Sequence, residues 1–167
     1  MYKRQDLRTG VAAAIVNGEL LLELVCEQPD IAAIPRPHCA AHDDTVYNNP
    51  EAIEFFLQSG DGGYGHFVFD CFGNRFDEIG QQGPDGWNPD WSVTITREKS
   101  GYRARLRIPL SELERLGVTT PAPDVRWRFN LIRLPFQSRQ CSAFSPVKGY
   151  GFHSPEFFGE FKMEKKK

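Results

Sequence analysis

The densest group of potential metal ligands in the sequence is the segment 38–44, which reads His-Cys-Ala-Ala-His-Asp-Asp. Imidazole, thiol and carboxylate groups together suit a transition metal. His38 and His42 would converge only on a helix, whereas Pro35 and Pro37 just before them favour an extended chain. We therefore interpret the segment as a polar strand end followed by a loop, and we assign no metal to it.

Carboxylates are the next candidates, because glycoside hydrolysis needs two of them facing each other with opposed protonation states. Glu54, Asp70, Asp77 and Glu78 all lie in or near predicted strands. Nothing in the sequence shows that any two of them converge. The sequence also lacks a nucleophile elbow, a phosphate-binding loop and a dinucleotide fingerprint. No catalytic residue is assigned, and we expect a domain that is not an enzyme.

Glu54 nevertheless lies in a distinctive strand. The run Ala52 to Gln58 alternates, with apolar residues on one face and Glu54, Phe56 and Gln58 on the other. A sugar suits that second face, since its hydroxyls bond to carboxylate and amide groups while its C–H face packs on a ring. A solvated strand face shows the same pattern, so both interpretations stay open.

Several aromatic residues fall in predicted loops. Tyr47, Trp87 and Phe144 occur in segments rich in Pro, Gly, Asn and Ser, and a Gly-rich stretch at 149–153 carries further rings. Exposed loop aromatics often mark a binding edge, although some cap the open end of a sandwich. The candidate ligand-binding residues are Tyr47, Glu54, Phe56, Trp87 and Phe144.

One calcium ligand is conceivable. Asp61, within Ser59 to Gly63, offers a carboxylate in a loop, which is the oxygen chemistry that calcium prefers. A turn built around glycines explains the same residues without a metal. Asp61 is therefore a weak calcium candidate.

The strands that must position these residues are clearest in the second half of the chain. Gly101 to Ile108 alternates strictly, so that Arg103, Arg105 and Arg107 share one face and apolar residues the other. A turn at Lys99 to Gly101 joins this strand to a preceding run, which predicts a hairpin. The residues predicted to lie in the core are Trp91, Tyr102, Leu106, Trp127, Phe129 and Leu131.

Shorter runs complete an all-β pattern. We predict strands at Glu19–Cys26, Ala52–Gln58, Gly65–Cys71, Asn74–Ile79 and Phe157–Met163, most of them bounded by turn residues. One short helix is expected at Leu110–Leu116, with Ser111 as its N-cap and Glu114 completing a capping box. The pattern predicts a two-layer antiparallel β-sandwich of the jelly-roll or immunoglobulin-like kind, with one short connecting helix.

Composition narrows the function classes. The chain has 167 residues, which suits one domain. A net charge of -2 argues against a nucleic-acid partner, and no apolar run has a membrane-spanning length. Its 13 Phe, 5 Tyr and 3 Trp favour strands and also stacking on a flat ligand. The charged start and the short apolar stretch Val11–Val16 do not read as a secretory signal.

The cysteines are widely spread and form no C-x-x-C spacing, which argues against a zinc ribbon or a thioredoxin-like motif. They are Cys26, Cys39, Cys71 and Cys141. Small buried apolar residues and a disulfide are both compatible with this distribution. The disulfide state is therefore left open.

The order of segments resembles carbohydrate-binding module family 9, a DOMON-like carbohydrate-binding β-sandwich. The similarity extends from about Val11 to Met163, nearly the whole chain. Each motif alone has low specificity, and the resemblance depends on all of them occurring in the same order as in the family. The segments are Asn49–Leu57, Gly63–Asp70, Gly101–Leu113, Arg126–Arg133, Phe144–Pro146 and Pro155–Gly159.

The resemblance implies non-catalytic sugar binding at one end of a sandwich, with the two clamping rings at Tyr47 and Phe144 and the strand carboxylate at Glu54. The family's better-studied clamp uses two tryptophans, so the smaller rings here imply weaker stacking. The resemblance further implies linkage to a glycoside hydrolase and to polysaccharide catabolism, a secreted or periplasmic location, and structural calcium in some members. We expect a single domain over 1–167, with a core at about 11–163 and frayed tails at 1–10 and 164–167.

Three alternatives remain at this stage. A glycosidase would need two facing carboxylates. A structural or interdomain module associated with a glycosidase would bind no sugar at all. A haem-binding DOMON-like domain would need axial His and Met ligands, and only Met163 is available besides the initiator.

Overall fold

A computed structural model describes residues 7–38, 46–60, 63–81, 87–114, 127–138, 141–147 and 151–161. Nearly all regular structure within these ranges is β, as predicted. Short 3-10 turns lie at Ile31–Ala33, Val46–Asn48 and Pro155–Phe157. The strands and the helix are β1 (Thr9–Val16), β2 (Glu19–Glu27), β3 (Ala52–Ser59), β4 (Tyr64–Phe69), β5 (Arg75–Ile79), β6 (Ser92–Glu98), β7 (Gly101–Pro109), α1 (Leu110–Glu114), β8 (Trp127–Leu134), β9 (Ser142–Ala143) and β10 (Gly159–Phe161).

The strands form two antiparallel sheets that pack as a sandwich, which confirms the predicted fold class. The first sheet has the order β1-β2-β7-β6. The second sheet has the order β10-β8-β3-β4-β5, and β9 pairs with β8 beside β10. β3, which carries Glu54, therefore lies in the middle of the second sheet.

The core between the sheets contains the residues that alternation placed there. Trp91, Tyr102, Leu106, Trp127 and Leu131 are buried, and half-buried Phe129 packs against them. The arginines of β7 point the other way, as predicted. They are exposed and pair with glutamates of β2 and β6, namely Arg103 with Glu98, Arg105 with Glu23 and Arg107 with Glu19.

A buried ion pair between Arg133 of β8 and Glu51, just before β3, lies within the second sheet, and further hydrogen bonds from Arg133 connect it to the first sheet. Both side chains are fully buried, and the guanidinium Nε donates to Glu51 Oε1 at 2.7 Å. Arg133 also donates to the Glu27 carbonyl of β2 and to the Thr9 hydroxyl of β1. The guanidinium of Arg133 therefore bonds to residues of both sheets.

Three boundaries differ from prediction. β1 was not predicted, because its Ala-rich sequence has little hydrophobic alternation; it includes Thr9 and Gly10, which we expected in a tail. α1 begins at Leu110, so Ser111 lies inside the helix and is not its N-cap. The last predicted strand begins later, since residues 155–157 form a 3-10 turn and β10 begins at Gly159.

Candidate functional site

The candidate site lies on the face of the second sheet that points away from the core. Ile53, Phe55 and Leu57 of β3 point into the sandwich, so Glu54 and Phe56 point to the opposite side. Residues directly opposite one another on antiparallel strands share a face. The register therefore adds Val68, His66 and Tyr64 of β4, and Phe76 and Glu78 of β5. We call this surface the outer face.

Two non-strand segments cover much of the outer face. Val46, in the turn before β3, packs against Val68 and Phe76. At the other side, Phe158 and Phe152 pack near Phe56. Side chains of the outer face are consequently shielded from water although they lie outside the sandwich core.

His66 is held at both ring nitrogens. Its Nδ1 lies 2.9 Å from Glu78 Oε1 and its Nε2 lies 3.0 Å from Glu54 Oε2. The ring is only 3% exposed, and Phe56 stacks on it at a centroid distance of 4.3 Å and an interplanar angle of 6°. The imidazole is therefore fixed in position and in orientation.

The charge state of His66 follows from these neighbours. Burial by itself lowers the pKa of His66, but the hydrogen bonds and negative charges of Glu54 and Glu78 outweigh burial and raise the pKa above its ordinary value. When protonated, the ring donates one N–H to each carboxylate. Two strands adjacent to β4 are thereby linked through one side chain.

His153 brings a second imidazole to the same place. Its ring lies edge-on to His66, with centroids 4.8 Å apart, and its Nδ1 is 2.9 Å from the Tyr64 hydroxyl. Burial, and then the charge of His66, lower the pKa of His153. One ligand atom from each of Glu54, His66 and His153 lies within 4.8 Å of the others.

Tyr47 projects from the segment that covers Phe76. Its ring is 44% exposed and meets the Phe76 ring edge-on at a centroid distance of 5.9 Å. The segment is anchored by Asn49, whose amide donates to Asp70 Oδ2 at 2.8 Å. Val46, next to Tyr47, packs on Val68, which pairs directly with Glu54. Tyr47 and Glu54 therefore belong to one region of the structure.

Phe144 lies elsewhere. Its ring is 56% exposed and packs on Phe129 at a centroid distance of 4.4 Å. Its backbone N–H donates to the Leu131 carbonyl at 2.9 Å. Phe129 and Leu131 face the core, whereas Phe76, the base of Tyr47, faces outward. The contacts of the described residues thus attach the two rings to opposite faces of one sheet and do not bring them together across Glu54.

Two candidate ligand-binding rings are not accessible. Trp87, expected to be a free loop ring, is 4% exposed and meets core residue Phe67 edge-on at 5.3 Å. Phe56 is fully buried between His66 and Phe158. The expectation of exposed rings at these two positions is wrong, because the core and the outer-face segments enclose them.

The remaining candidates either lie outside the described residues or have a structural role. Asp61 and the segment 39–44 lie outside the described residues. Cys26 and Cys71 are buried and Cys141 is exposed, all three as free thiols. Asp77 is buried and accepts a hydrogen bond from the Trp91 indole at 2.6 Å, which is a structural role.

His66, Glu78 and His153 were not among the predicted site residues. Alternation alone places His66 and Glu78 off the core-facing side of their runs, which was the available signal. Their meeting with Glu54 depends on which strands pair and in what register, and the arrival of His153 depends on an irregular segment. Neither is visible in strand parity.

Comparison with known proteins identifies the fold. No protein-family model matches the chain, and no curated protein matches it. A Bacteroides uniformis protein assigned as carbohydrate-binding does match in structure, with 17% identity, a TM-score of 0.73, and coverage of 95% of this chain and 79% of that one.

Two further matches are structures of a family 9 carbohydrate-binding module from Caldicellulosiruptor kristjanssonii, one with cellotriose and one with glucose. Both are 16% identical with a TM-score of 0.65; each covers 98% of this chain, and 78% or 80% of the module. The chain therefore has the fold of carbohydrate-binding module family 9, as the segment order implied. Within the part of the chain that the structure describes, no helix is long and apolar enough to span a membrane.

Proposed function

We propose that this domain binds carbohydrate without transforming it, as an accessory module linked to glycoside hydrolysis or polysaccharide catabolism. The observation that carries the proposal is the Tyr47 ring, which is exposed yet held by Phe76 beneath it and by the Asn49–Asp70 bond beside it. A fixed aromatic ring offers stacking area to the C–H face of a sugar at little entropic cost. The family 9 fold supports the same function.

Glu54 is the polar partner in this proposal. It lies in the same region as Tyr47, and His66 fixes its Oε2. Glu54 is buried, with 6% of its surface exposed, so only its accessible edge can accept a bond from a sugar hydroxyl. A carboxylate already held by one hydrogen bond loses little further side-chain freedom in doing so. Phe144 is proposed as a second stacking plate at a separate edge, while Phe56 and Trp87 support the site from within.

Calorimetric titration tests the proposal. Glucose and cellotriose are the first ligands, because the matching modules were solved with them, and xylose and mannose test the breadth of binding. Tyr47→Ala is expected to weaken binding by about fivefold or more, since an aromatic plate contributes on the order of 1 kcal/mol beyond contact area. Val25→Ala, at an exposed apolar side chain on the other sheet, is the matched control and leaves affinity unchanged.

The alternatives make different predictions. A structural module gives no heat with any sugar, and a glycosidase releases reducing ends from cellotriose over time. A haem-binding domain is coloured when it carries haem, so a colourless purified protein counts against that alternative. Equal affinity in Tyr47→Ala and the parent would show that the sugar binds elsewhere.

A further inference from the structure

We propose that Glu54, His66 and His153 together bind one divalent first-row transition-metal ion, with Zn²⁺ as the reference ion. The ligand atoms of these three residues lie within 4.8 Å of one another. Two histidines and one glutamate form the nitrogen–oxygen ligand set of many zinc sites that keep a fourth position for water. The inference does not depend on sugar binding.

The spacing of the ligand atoms fits a metal ion. In a tetrahedral site with bonds of about 2.0–2.1 Å, ligand atoms stand about 3.3 Å apart. Glu54 Oε2 and His66 Nε2 are 3.0 Å apart, so an ion can replace the hydrogen bond between them with little movement. The His153 ligand atom lies within 4.8 Å of the other two, so it must move closer to them to complete the set.

Outer partners orient both imidazoles. A metal-binding histidine usually has its second ring nitrogen held by a carboxylate or a carbonyl. Glu78 Oε1 holds Nδ1 of His66 at 2.9 Å, which leaves Nε2 facing Glu54. His153 bonds to the Tyr64 hydroxyl at Nδ1 and to the backbone of Gly80, so a neighbour remains for one nitrogen when the other binds an ion.

Burial is graded across the cluster. Glu54 and His66 are buried, whereas His153 is half-buried and belongs to the segment that covers the outer face. An ion therefore approaches from the side of His153, where water supplies the remaining ligand. Glu54, His66 and Glu78 satisfy one another by hydrogen bonds and do not need His153 for that purpose. His153 adds the second imidazole nitrogen, which makes the group a set of metal ligands.

The test uses the full chain after treatment with a chelator. Zn²⁺ is titrated by calorimetry, and Co²⁺ by visible absorption, whose intensity reports tetrahedral nitrogen–oxygen coordination. We expect one ion per chain and a rise in Tm with Zn²⁺. Glu78→Gln should weaken binding about 10- to 100-fold through loss of the outer partner, and His153→Gln should weaken it further.

The matched control is the double variant His38→Gln/His42→Gln, which removes the two histidines of the segment 38–44 and should leave the affinity unchanged. Circular dichroism checks that each variant is folded; if His153→Gln does not fold, Glu78→Gln decides. Undiminished binding in the decisive variant, or loss of binding in the control, overturns the assignment. Sugar titrations repeated with chelator present separate this result from the proposed function.

Discussion

Arg133 and Glu51 form an ion pair from which water is excluded on both sides, in a sandwich whose other interior contacts are mostly apolar. Gln28 Nε2 and the Phe136 backbone N–H donate to the second oxygen of Glu51, at 2.7 and 2.8 Å. These bonds hold Glu51 at a φ of 62°, a conformation that is uncommon for a residue with a side chain. The pair therefore fixes the chain at the point where it enters β3.

Arg133→Met is expected to destabilise the fold by about 3–5 kcal/mol, because it leaves the Glu51 charge buried without its partner. Chemical denaturation measures the change. The double variant Arg133→Met/Glu51→Met should be less destabilised than the sum of the two single variants, since neither charge is then left alone. Additive effects in this cycle would contradict direct coupling.

Phe144 is proposed as a separate stacking plate, so Phe144→Ala should remove sugar binding at that edge and leave binding at Tyr47 unchanged. The Tm should change little, because an exposed ring contributes little to the core. Calorimetry and thermal unfolding measure the two effects. Gly159→Ala probes the same ring indirectly. A Cβ there would lie 2.6 Å from Ser145 Oγ and 3.0 Å from the Phe144 ring, so the Ser145 hydroxyl must shift and the Phe144 ring must move by a few tenths of an ångström. If both variants bind sugar like the parent, Phe144 is not part of the site.

Glu54→Gln should weaken sugar binding, because a neutral amide accepts weaker hydrogen bonds from hydroxyls than a carboxylate does. The titration is performed with chelator present, so that metal binding does not contribute. Gln retains the size of Glu and can still accept a hydrogen bond from His66, and the fold is therefore expected to persist. The matched control is Glu23→Gln, at an exposed site on the first sheet. Gln28→Glu is not used as a control, because Gln28 bonds to Glu51.

The buried thiol of Cys71 is expected to make the free energy of unfolding decrease in alkaline solution. Burial, followed by the charge of Asp70, raises the pKa of its thiol from 9.0 to about 12. The unfolded chain therefore loses this proton first, and the free energy of unfolding decreases as the pH rises from about 9 towards 12. Cys71→Ala should remove this contribution to the slope. Denaturation of parent and variant at several alkaline pH values measures the difference, and parallel curves would contradict the assignment.

Gly101→Ala should destabilise the fold. The added Cβ would lie 2.0 Å from the Cys26 carbonyl oxygen, and backbone atoms on paired strands cannot yield as a flexible side chain does. We expect a loss of roughly 1–3 kcal/mol, the range for overpacking. Gly10→Ala is the matched control, because no atom lies within 4 Å of its added Cβ. Equal stability of the two variants would argue against this close approach.

The sequence predicts those features that follow from the alternation of side chains between the two faces of a strand, which we call strand parity. Strict alternation in β7 located Tyr102 and Leu106 inside and the arginines outside, because a strand has only two faces. β1 escaped prediction since Ala and Gly carry too little hydrophobic contrast. Glu54 was correctly placed off the core, but parity cannot tell an open face from one covered by irregular segments. Those segments set the burial of Phe56 and the meeting of His66 with His153, whereas Trp87 is buried in the core between the sheets.

The glutamates and arginines on the far side of the first sheet alternate in sign at contact distance, with pairs 2.5–2.8 Å apart. Their fields cancel beyond about 10 Å, where ordinary salt also screens what remains. A polymer in solution therefore experiences little net electrostatic potential from this side of the first sheet, although the sheet carries many charged groups there. Long-range electrostatic attraction of a ligand towards this side of the first sheet is therefore expected to be weak.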